Sequence, residues 1–420
     1  MIETIQLLPG VTLRCFPIGR FKQNHLSIRF VRPLCREEAA LNALLPAVLL
    51  RGSKTAPDMQ TINFRLDDLY GASLSALSRQ VGDYQTTGLG CSFIRDSFAL
   101  EGDRVLEPVV DFMRELLLEP ALQKGVFRTD YVESEKKNLI SAIEAQRNDK
   151  RAYCANKMLE IMCKNDPFGV SRLGEKETVS PITAQGLYAH YQTLLAQSRI
   201  DIFYVGPESA QTLAAYLEPV FSTLKRDYVN LPAQTAFTPE GGGDHTETMD
   251  IAQGKLCMGF ATPITQRGGD LAAMQVCNMV LGGGMTSKLF MVVREKLSLC
   301  YNISSGYYGS KGIFTVSAGI DCDKKQTVID QVHTQLQAVC RGEITDQELF
   351  AAKEALLSSL RGTHDAPGSI ESYYASAALS GMRMTPTEYM QKIQSVDVDR
   401  VAAAARSLQL DTTYFLQGVQ

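Results

Sequence analysis

The sequence predicts an α+β protein built from two homologous domains. Each is an α/β-sandwich-like layer, a mixed and mostly antiparallel sheet covered by helices, and the two are related by an internal duplication. Three observations predict this. Short stretches of strand period alternate with longer stretches of helical period. The order of those stretches in the first half returns in the second, offset by about half the chain, far beyond the roughly 20–50 residues of a solenoid repeat. Between the halves lies 226–247, with Pro232, Pro239, Gly241-Gly242-Gly243 and few aliphatic residues, the composition of a linker. The expected division is therefore a domain over 1–225, a linker over 226–247 and a domain over 248–420.

The elements follow in order. Leu26–Val31 alternates apolar and polar residues, as a half-buried strand does. Glu37–Leu50 and Met59–Tyr70 carry apolar residues at helical spacing. Ala72–Gln80 and Thr86–Phe93 read as paired strands around Gly82-Asp83. Val105–Leu118 is a helix stopped by Pro120, and Phe127–Arg147 and Ala152–Cys163 are further helices, broken at Asp166-Pro167-Phe168-Gly169. Pro181–Leu195 is helical, Ile200–Val205 is a strand and Ser209–Leu224 is a helix. After the linker, Lys255–Ala261 is a strand. Met285–Lys296 then repeats the helix of Thr61–Leu69, and the pair Tyr301–Tyr308 and Gly312–Ile320 repeats the strand pair around Gly82. Val328–Cys340 and Asp346–Leu360 match Val105–Leu118 and Phe127–Arg147, and Gln409–Gly418 matches Ser198–Gly206.

Composition excludes several function classes. With 45% hydrophobic and 21% charged residues, the chain is ordinary for a globular protein. A net charge of −4 gives no basic footprint for nucleic acid. The most apolar run, Leu41–Leu50, contains Asn42 and Pro46 and is too short to span a membrane. Met1–Gln6 lacks a basic start and a long apolar stretch, so the expected compartment is cytoplasmic. The ten cysteines form no Cys-x-x-Cys pair and read as small buried hydrophobes in a reducing environment. Only five histidines occur: His25, His190, His245, His333 and His364. None has a His or Glu three or four residues away on a shared helical face.

Two segments carry a resemblance. Leu281–Lys296, LGGGMTSKLFMVVREK, runs into LSLCY and places Arg294 and Tyr301 seven residues apart. Leu41–Ser53, LNALLPAVLLRGS, has the outline of a zinc helix closed by Gly-Ser. Together with the duplicated halves, these segments resemble the insulinase/pitrilysin (inverzincin) metallopeptidases, in their mitochondrial-processing-peptidase-like branch. The resemblance implies zinc held by a His-x-x-Glu-His helix and by a glutamate on a later helix. Aligned on Arg51-Gly52-Ser53, the histidine positions fall on Ala43 and Ala47 and the catalytic glutamate position on Pro46. Glu133, in Glu133-Ser134-Glu135-Lys136, takes the place of the later glutamate.

The chemistry explains what is lost. Histidines at i and i+4 share a helical face and grip one zinc, and the glutamate takes a proton from zinc-bound water. Alanine offers no ligand atom and proline no base, so no catalytic residue and no zinc or other cofactor are expected. Glu133 and Glu135 also fit a solvated helix face rich in lysine. By resemblance, Arg294 and Tyr301 imply donors to a peptide backbone, and Gly283 and Gly284 a loop that helps to capture substrate. The plain alternatives are a helix-end pair and a tight turn. A phosphate loop is excluded, because Lys288 follows Ser287 rather than preceding it.

The expected function is a catalytically inactive insulinase-like homologue. It would act as a non-catalytic subunit that pairs with a zinc-bearing paralogue, or with itself, to bind or process peptides, with no nucleic acid and no membrane involved. An active metallopeptidase with a non-standard metal site, and a stand-alone peptide-binding homodimer, are the alternatives.

Overall fold

The structure is a computed structural model and describes residues 2–100 and 102–418. In chain order the first half gives β1 (Glu3–Leu8), β2 (Val11–Pro17), β3 (Gln23–Pro33), α1 (Arg36–Leu49), α2 (Met59–Asp68), β4 (Ser73–Val81) and β5 (Tyr84–Ile94). It continues with α3 (Leu106–Leu118), the short hairpin β6 (Leu122–Gln123) and β7 (Val126–Phe127), α4 (Thr129–Asn148), α5 (Lys150–Met162), α6 (Lys176–Val179), α7 (Ala184–Gln197), β8 (Arg199–Gly206) and α8 (Ala210–Phe221). The second half gives β9 (Gly243–Met249), β10 (Gly254–Ala261), α9 (Leu271–Leu281), a π-helix over Leu289–Lys296, β11 (Cys300–Tyr308) and β12 (Ile313–Ile320). It closes with α10 (Lys325–Cys340), α11 (Asp346–Gly362), α12 (Pro367–Ser380), α13 (Pro386–Gln394), α14 (Val398–Arg406) and β13 (Gln409–Gly418).

The duplication is written in the sheets. One sheet has the strand order β1-β2-β8-β3-β5-β4 and the other β11-β12-β10-β13-β9. Read backwards, the second is β9-β13-β10-β12-β11, which repeats β2-β8-β3-β5-β4 strand for strand. The directions agree as well. β2 with β8 and β9 with β13 are the parallel pairs, and the remaining pairs of the repeat are antiparallel. β9 lies inside the segment expected to be linker, so that linker stops short of Gly243. Its polar sequence, GDHTETM, hid it, because an edge strand with one covered neighbour needs few apolar residues.

The two compact units are not the two contiguous halves of the chain. The first comprises Met1–Glu144, Val170–Ala233 and His364–Ser376. The second comprises Ala145–Gly169, Gln234–Thr363 and Ala377–Gln420. Each unit thus takes one helical segment from the other half. The helices concerned, α5 and α12, follow α4 and α11, which are themselves matched elements of the repeat.

In the first unit, alternation along β3 sends Leu26, Ile28 and Phe30 into a core shared with α1, α3, α7 and α8. Ser27 and Arg29 point to the opposite face, where α12 lies. There the buried Glu371 accepts from Arg29 Nε at 2.7 Å and Nη2 at 2.9 Å, and from Ser27 Oγ at 2.6 Å. Phe16 and Tyr374 stack at 4.7 Å between ring centroids.

In the second unit, α9, α10 and α14 cover one sheet face and α5 the other. Cys154, Met158 and Met162 fall at i, i+4 and i+8 on α5 and face β10 and β13. Gly259 makes this close approach possible: a Cβ there would lie 2.6 Å from the sulfurs of both Met158 and Met162. Lys311, fully buried, pairs with Asp166 at 2.9 Å just after α5.

Three further placements concern the histidines and the helix before β11. His25 sits inside β3, and its Nδ1 meets Ser92 Oγ at 2.9 Å. His245, His333 and His364 are half-buried. The helix expected over 285–296 is a π-helix that begins at Leu289.

Candidate functional site

α1 is the helix on which any metal chemistry would have to rest. Its apolar positions Ala39, Ala40, Leu44, Leu45, Val48 and Leu49 are buried. Glu37 and Glu38 lie in its first turn, favourable to the helix dipole, and Glu38 is held by Arg32 Nε at 2.8 Å. Ala43 and Ala47 lie half-buried, one helical turn apart on one face. Pro46 is buried inside the helix.

A proline at this position cannot donate to the carbonyl four residues earlier, that of Asn42. The Thr87 hydroxyl on β5 donates to that carbonyl at 2.6 Å and restores the missing bond. The Asn42 side chain continues the same network. Gln85 gives its amide hydrogens to the carbonyls of Ala39 (3.1 Å) and Arg172 (2.7 Å), so its Oε1 is left to accept from Asn42 Nδ2 at 3.0 Å. Asn42 Oδ1 in turn accepts from His190 Nε2 at 2.8 Å, which fixes the proton of the ring on Nε2. Burial pushes His190 down to about 4. His190 is therefore a neutral core histidine under α1.

The turn after α1 is equally fixed. A Cβ at Gly52 would lie 2.5 Å from the Pro57 carbonyl oxygen, so the backbone path requires glycine. The Glu115 carboxylate accepts from Ser53 Oγ at 2.6 Å, from Thr55 N at 2.9 Å and from Arg65 Nη1 at 2.7 Å. Burial opposes the Glu115 charge, but these hydrogen bonds outweigh it and hold the carboxyl at about 2. The Gly-Ser that resembles the end of a zinc helix thus has a structural task of its own.

Glu133 and Glu135 divide their roles against expectation. Glu133 is half exposed and accepts from Lys136 at 2.9 Å on its own helix. Glu135 and Lys136 are buried, so this is not a uniformly solvated face. Glu135 pairs with Arg51, the second residue after α1, at 3.2 Å, and also accepts from Asn138 at 3.0 Å. The Arg51 guanidinium lies 5.2 Å from the Tyr131 ring centroid.

These residues do not fit zinc. The face of α1 carries methyl groups where imidazoles would be needed, Pro46 has no carboxylate, and Glu133 is engaged with Lys136. Among the described residues no three of His, Cys, Asp and Glu gather at metal-binding distances. A serine-based alternative also lacks its parts. His25 touches Ser92, but the nearby Glu371 is already bound to Arg29 and Ser27.

What the site does offer is an edge. β4 pairs with β5 and is the last strand of its sheet among the described residues, and Arg172 donates to the carbonyl of Ser78 within it at 3.2 Å. α1 packs on both β4 and β5, so the altered helix lies directly beside this edge. A cavity of about 550 Å³ in the same unit is lined by Ser53, Lys54, Arg128, Tyr188 and Tyr191, and by neither Ala43 nor Ala47.

The candidates in the second half lie around the start of β11. Gly283 N donates to the Asn278 carbonyl at 2.8 Å at the end of α9. The Gly284 carbonyl accepts from Ser287 N at 3.1 Å and Oγ at 2.6 Å. Ser305 of β11 donates to the Gly282 carbonyl at 2.9 Å, so the glycine loop is tied to that strand. Met285 projects from it, 75% exposed. Lys288 is bound to Glu348 at 2.9 Å. Arg294 and Tyr301 do not share a partner. Arg294 lies over the Phe290 ring at 4.5 Å and beside Glu295 at 3.4 Å, whereas Tyr301 donates to Asp321 at 3.1 Å. Lys324 first, and Tyr301 second, hold Asp321 below the usual carboxylate range.

Sequence reasoning did not find Thr87 or Gln85, and it named Glu135 only as part of a lysine-rich helix face. The one available signal was Pro46 itself, since a proline inside a helix announces an orphaned carbonyl that another element must serve.

Comparison with known proteins agrees with this geometry. The family profile described as "Peptidase M16 inactive domain" matches residues 181–356. "Probable inactive metalloprotease YmfF" of Bacillus subtilis is 30% identical over 98% of this chain and 96% of its own length. "Uncharacterized zinc protease YmxG" of the same organism is 27% identical over 58% of this chain and 59% of its own. The crystal structure of a conserved protein from Enterococcus faecalis V583 superposes with a TM-score of 0.93 at 27% identity, covering 100% of this chain and 99% of that one. The chain belongs to the M16, or insulinase/pitrilysin, family of metallopeptidases and is a homologue without the His-x-x-Glu-His motif.

Proposed function

We propose that this chain is a catalytically silent M16 subunit that holds peptides in extended form and pairs with a zinc-bearing paralogue. The observation that carries the reading is the conjunction on the first unit. The edge strand β4 lies beside α1, the helix on which the resemblance places Ala43, Ala47 and Pro46 at the ligand and base positions. Strand addition to an open edge binds a peptide through its backbone and needs no metal. Hydrolysis would need an acidified water and a base, and α1 supplies neither. That Bacillus subtilis has relatives named both as an inactive metalloprotease and as a zinc protease supports a division of labour between two chains.

The test uses the full chain with and without a zinc-bearing M16 chain from the same organism. Zinc content, cleavage of unstructured peptides, peptide binding by fluorescence anisotropy and complex formation by light scattering are measured. The expected result is peptide binding and a heteromeric complex, with cleavage only in the mixture. Stoichiometric zinc with cleavage by this chain alone would overturn the reading. So would the absence of both peptide binding and complex formation.

A further inference from the structure

The ten cysteines include one pair that the fold brings together from distant positions. Cys154 lies on α5 and Cys257 on β10, and both are sealed from solvent in the same small core of the second unit. The Cys154 sulfur lies 3.3 Å from the carbonyl oxygen of Lys255 and 3.9 Å from that of Tyr414. Lys255 precedes Cys257 by two residues on the same strand, and Tyr414 is the residue directly paired with Cys257 across β10 and β13. The Cys154 thiol therefore sits over Cys257. Ser317, paired with Cys257 on its other side, places its hydroxyl 3.2 Å from the Cys257 sulfur.

We propose that Cys154 and Cys257 form a latent disulfide, closed by a hydroperoxide, that fixes α5 to β10. The two thiols have unequal parts. Hydrogen bonds from Cys154, and then from Ser317, lower the Cys257 thiol below its ordinary range despite burial. Cys154 is raised by the same contact and by burial. With the Ser317 hydroxyl 3.2 Å from its sulfur and able to donate to a thiolate, Cys257 is assigned as the nucleophile. Its thiolate attacks one oxygen of hydrogen peroxide, the O–O bond breaks, and hydroxide leaves and is protonated to water. Cys257 is then a sulfenic acid. Cys154 attacks that sulfur and gives up its proton, and a second water leaves as the S–S bond forms. In sum, two thiols are oxidised by two electrons and one peroxide is reduced to two waters.

The location gives the bond its consequence. α5 belongs by sequence to the first half of the chain and by packing to the second unit, where it covers one sheet face. Both sulfurs lie between α5 and its sheet, so oxidation by peroxide requires α5 to lift. Closing the bond ends that motion by cross-linking a loop of about a hundred residues, a length for which such closure is strongly stabilising. The oxidised chain would keep α5 on its sheet where the reduced chain can release it.

The experiment treats the full-length reduced chain with hydrogen peroxide, blocks the remaining thiols and maps peptides without reduction. Thermal unfolding is recorded before and after treatment, and again after dithiothreitol. The expected result is one cross-linked peptide pair joining Cys154 and Cys257. An upward shift in Tm on the order of 5–10 °C should accompany it and be reversed by dithiothreitol. Cys154→Ser and Cys154→Ala should each abolish both the cross-link and the shift, with Cys257→Ser as the reciprocal control. Three results would overturn the proposal. They are pairing of other cysteines, oxidation of Cys257 beyond the sulfenic stage without a cross-link, and a Tm shift that survives in the Cys154 variants.

Discussion

The Thr87 hydroxyl donates to the Asn42 carbonyl at 2.6 Å, and it does so at the one carbonyl of α1 that Pro46 leaves without its helical donor. The bond ties α1 to β5 at Pro46, the residue that the resemblance puts at the catalytic glutamate position. Removing the hydroxyl while Pro46 remains leaves a buried acceptor unpaired. Thr87→Val should therefore cost about 1–3 kcal/mol in chemical denaturation. In a Pro46→Ala background the helix supplies its own donor, and the same substitution should cost clearly less. Equal costs in the two backgrounds would refute the compensation.

Arg29 and Glu371 make the second prediction. The pair is buried on both sides, with 3% and 2% of the side chains exposed, and bidentate, and it anchors α12 in the first unit. Glu371→Ala leaves a buried guanidinium unpaired and should cost about 3–5 kcal/mol. The double variant Arg29→Met, Glu371→Leu should recover most of that loss, because it removes both charges and fills the space. Urea midpoints of the single and double variants check this, and a double variant no more stable than Glu371→Ala would count against it.

Acid should act in two stages. His190 has a folded value of about 4 against an ordinary 6.5, so the unfolded chain binds its proton first. Its contribution is complete above about pH 6.5 and is lost as the pH falls towards 4, on the order of 3 kcal/mol in all. Glu115, lowered from 4.5 to about 2, contributes above pH 4.5 and loses that contribution as the pH falls towards 2. Stability measured against pH should decline first in the upper window. His190→Gln should flatten that window only, and an unchanged slope between pH 6.5 and 4 would exclude the assignment.

The β4 edge makes a prediction about binding. Ala76 is exposed in the middle of the strand. A lysine there blunts strand addition, and the folded chain has room for it at the surface. Ala76→Lys should weaken binding of an extended neutral peptide by roughly tenfold or more and leave the unfolding midpoint within about 0.5 kcal/mol of the parent. Anisotropy titration reads the first and urea denaturation the second. Unchanged binding would place the peptide elsewhere.

The sequence by itself determined the local chemistry and the order of elements. The resemblance puts Ala43, Ala47 and Pro46 in the places of ligands and base, and no fold can add donors to a methyl group. The repeat was legible because strand and helix periods are local, a few residues each. Only the tertiary structure decided which half of the chain each helix serves. α5 and α12 carry enough apolar residues to pack on a sheet, but their sequences do not say whose sheet. That choice is made by contacts hundreds of residues apart, such as Arg29 with Glu371. The same holds for Glu133 and Glu135. Two glutamates two residues apart on a helix look alike in sequence, yet they point about 200° apart around it. Only the packing of α4 shows that Glu135 turns inward to Arg51 while Glu133, at the surface, accepts from the buried Lys136. Burial and pairing of this kind depend on what arrives from elsewhere in the chain, which is why they became visible only once the chain was folded.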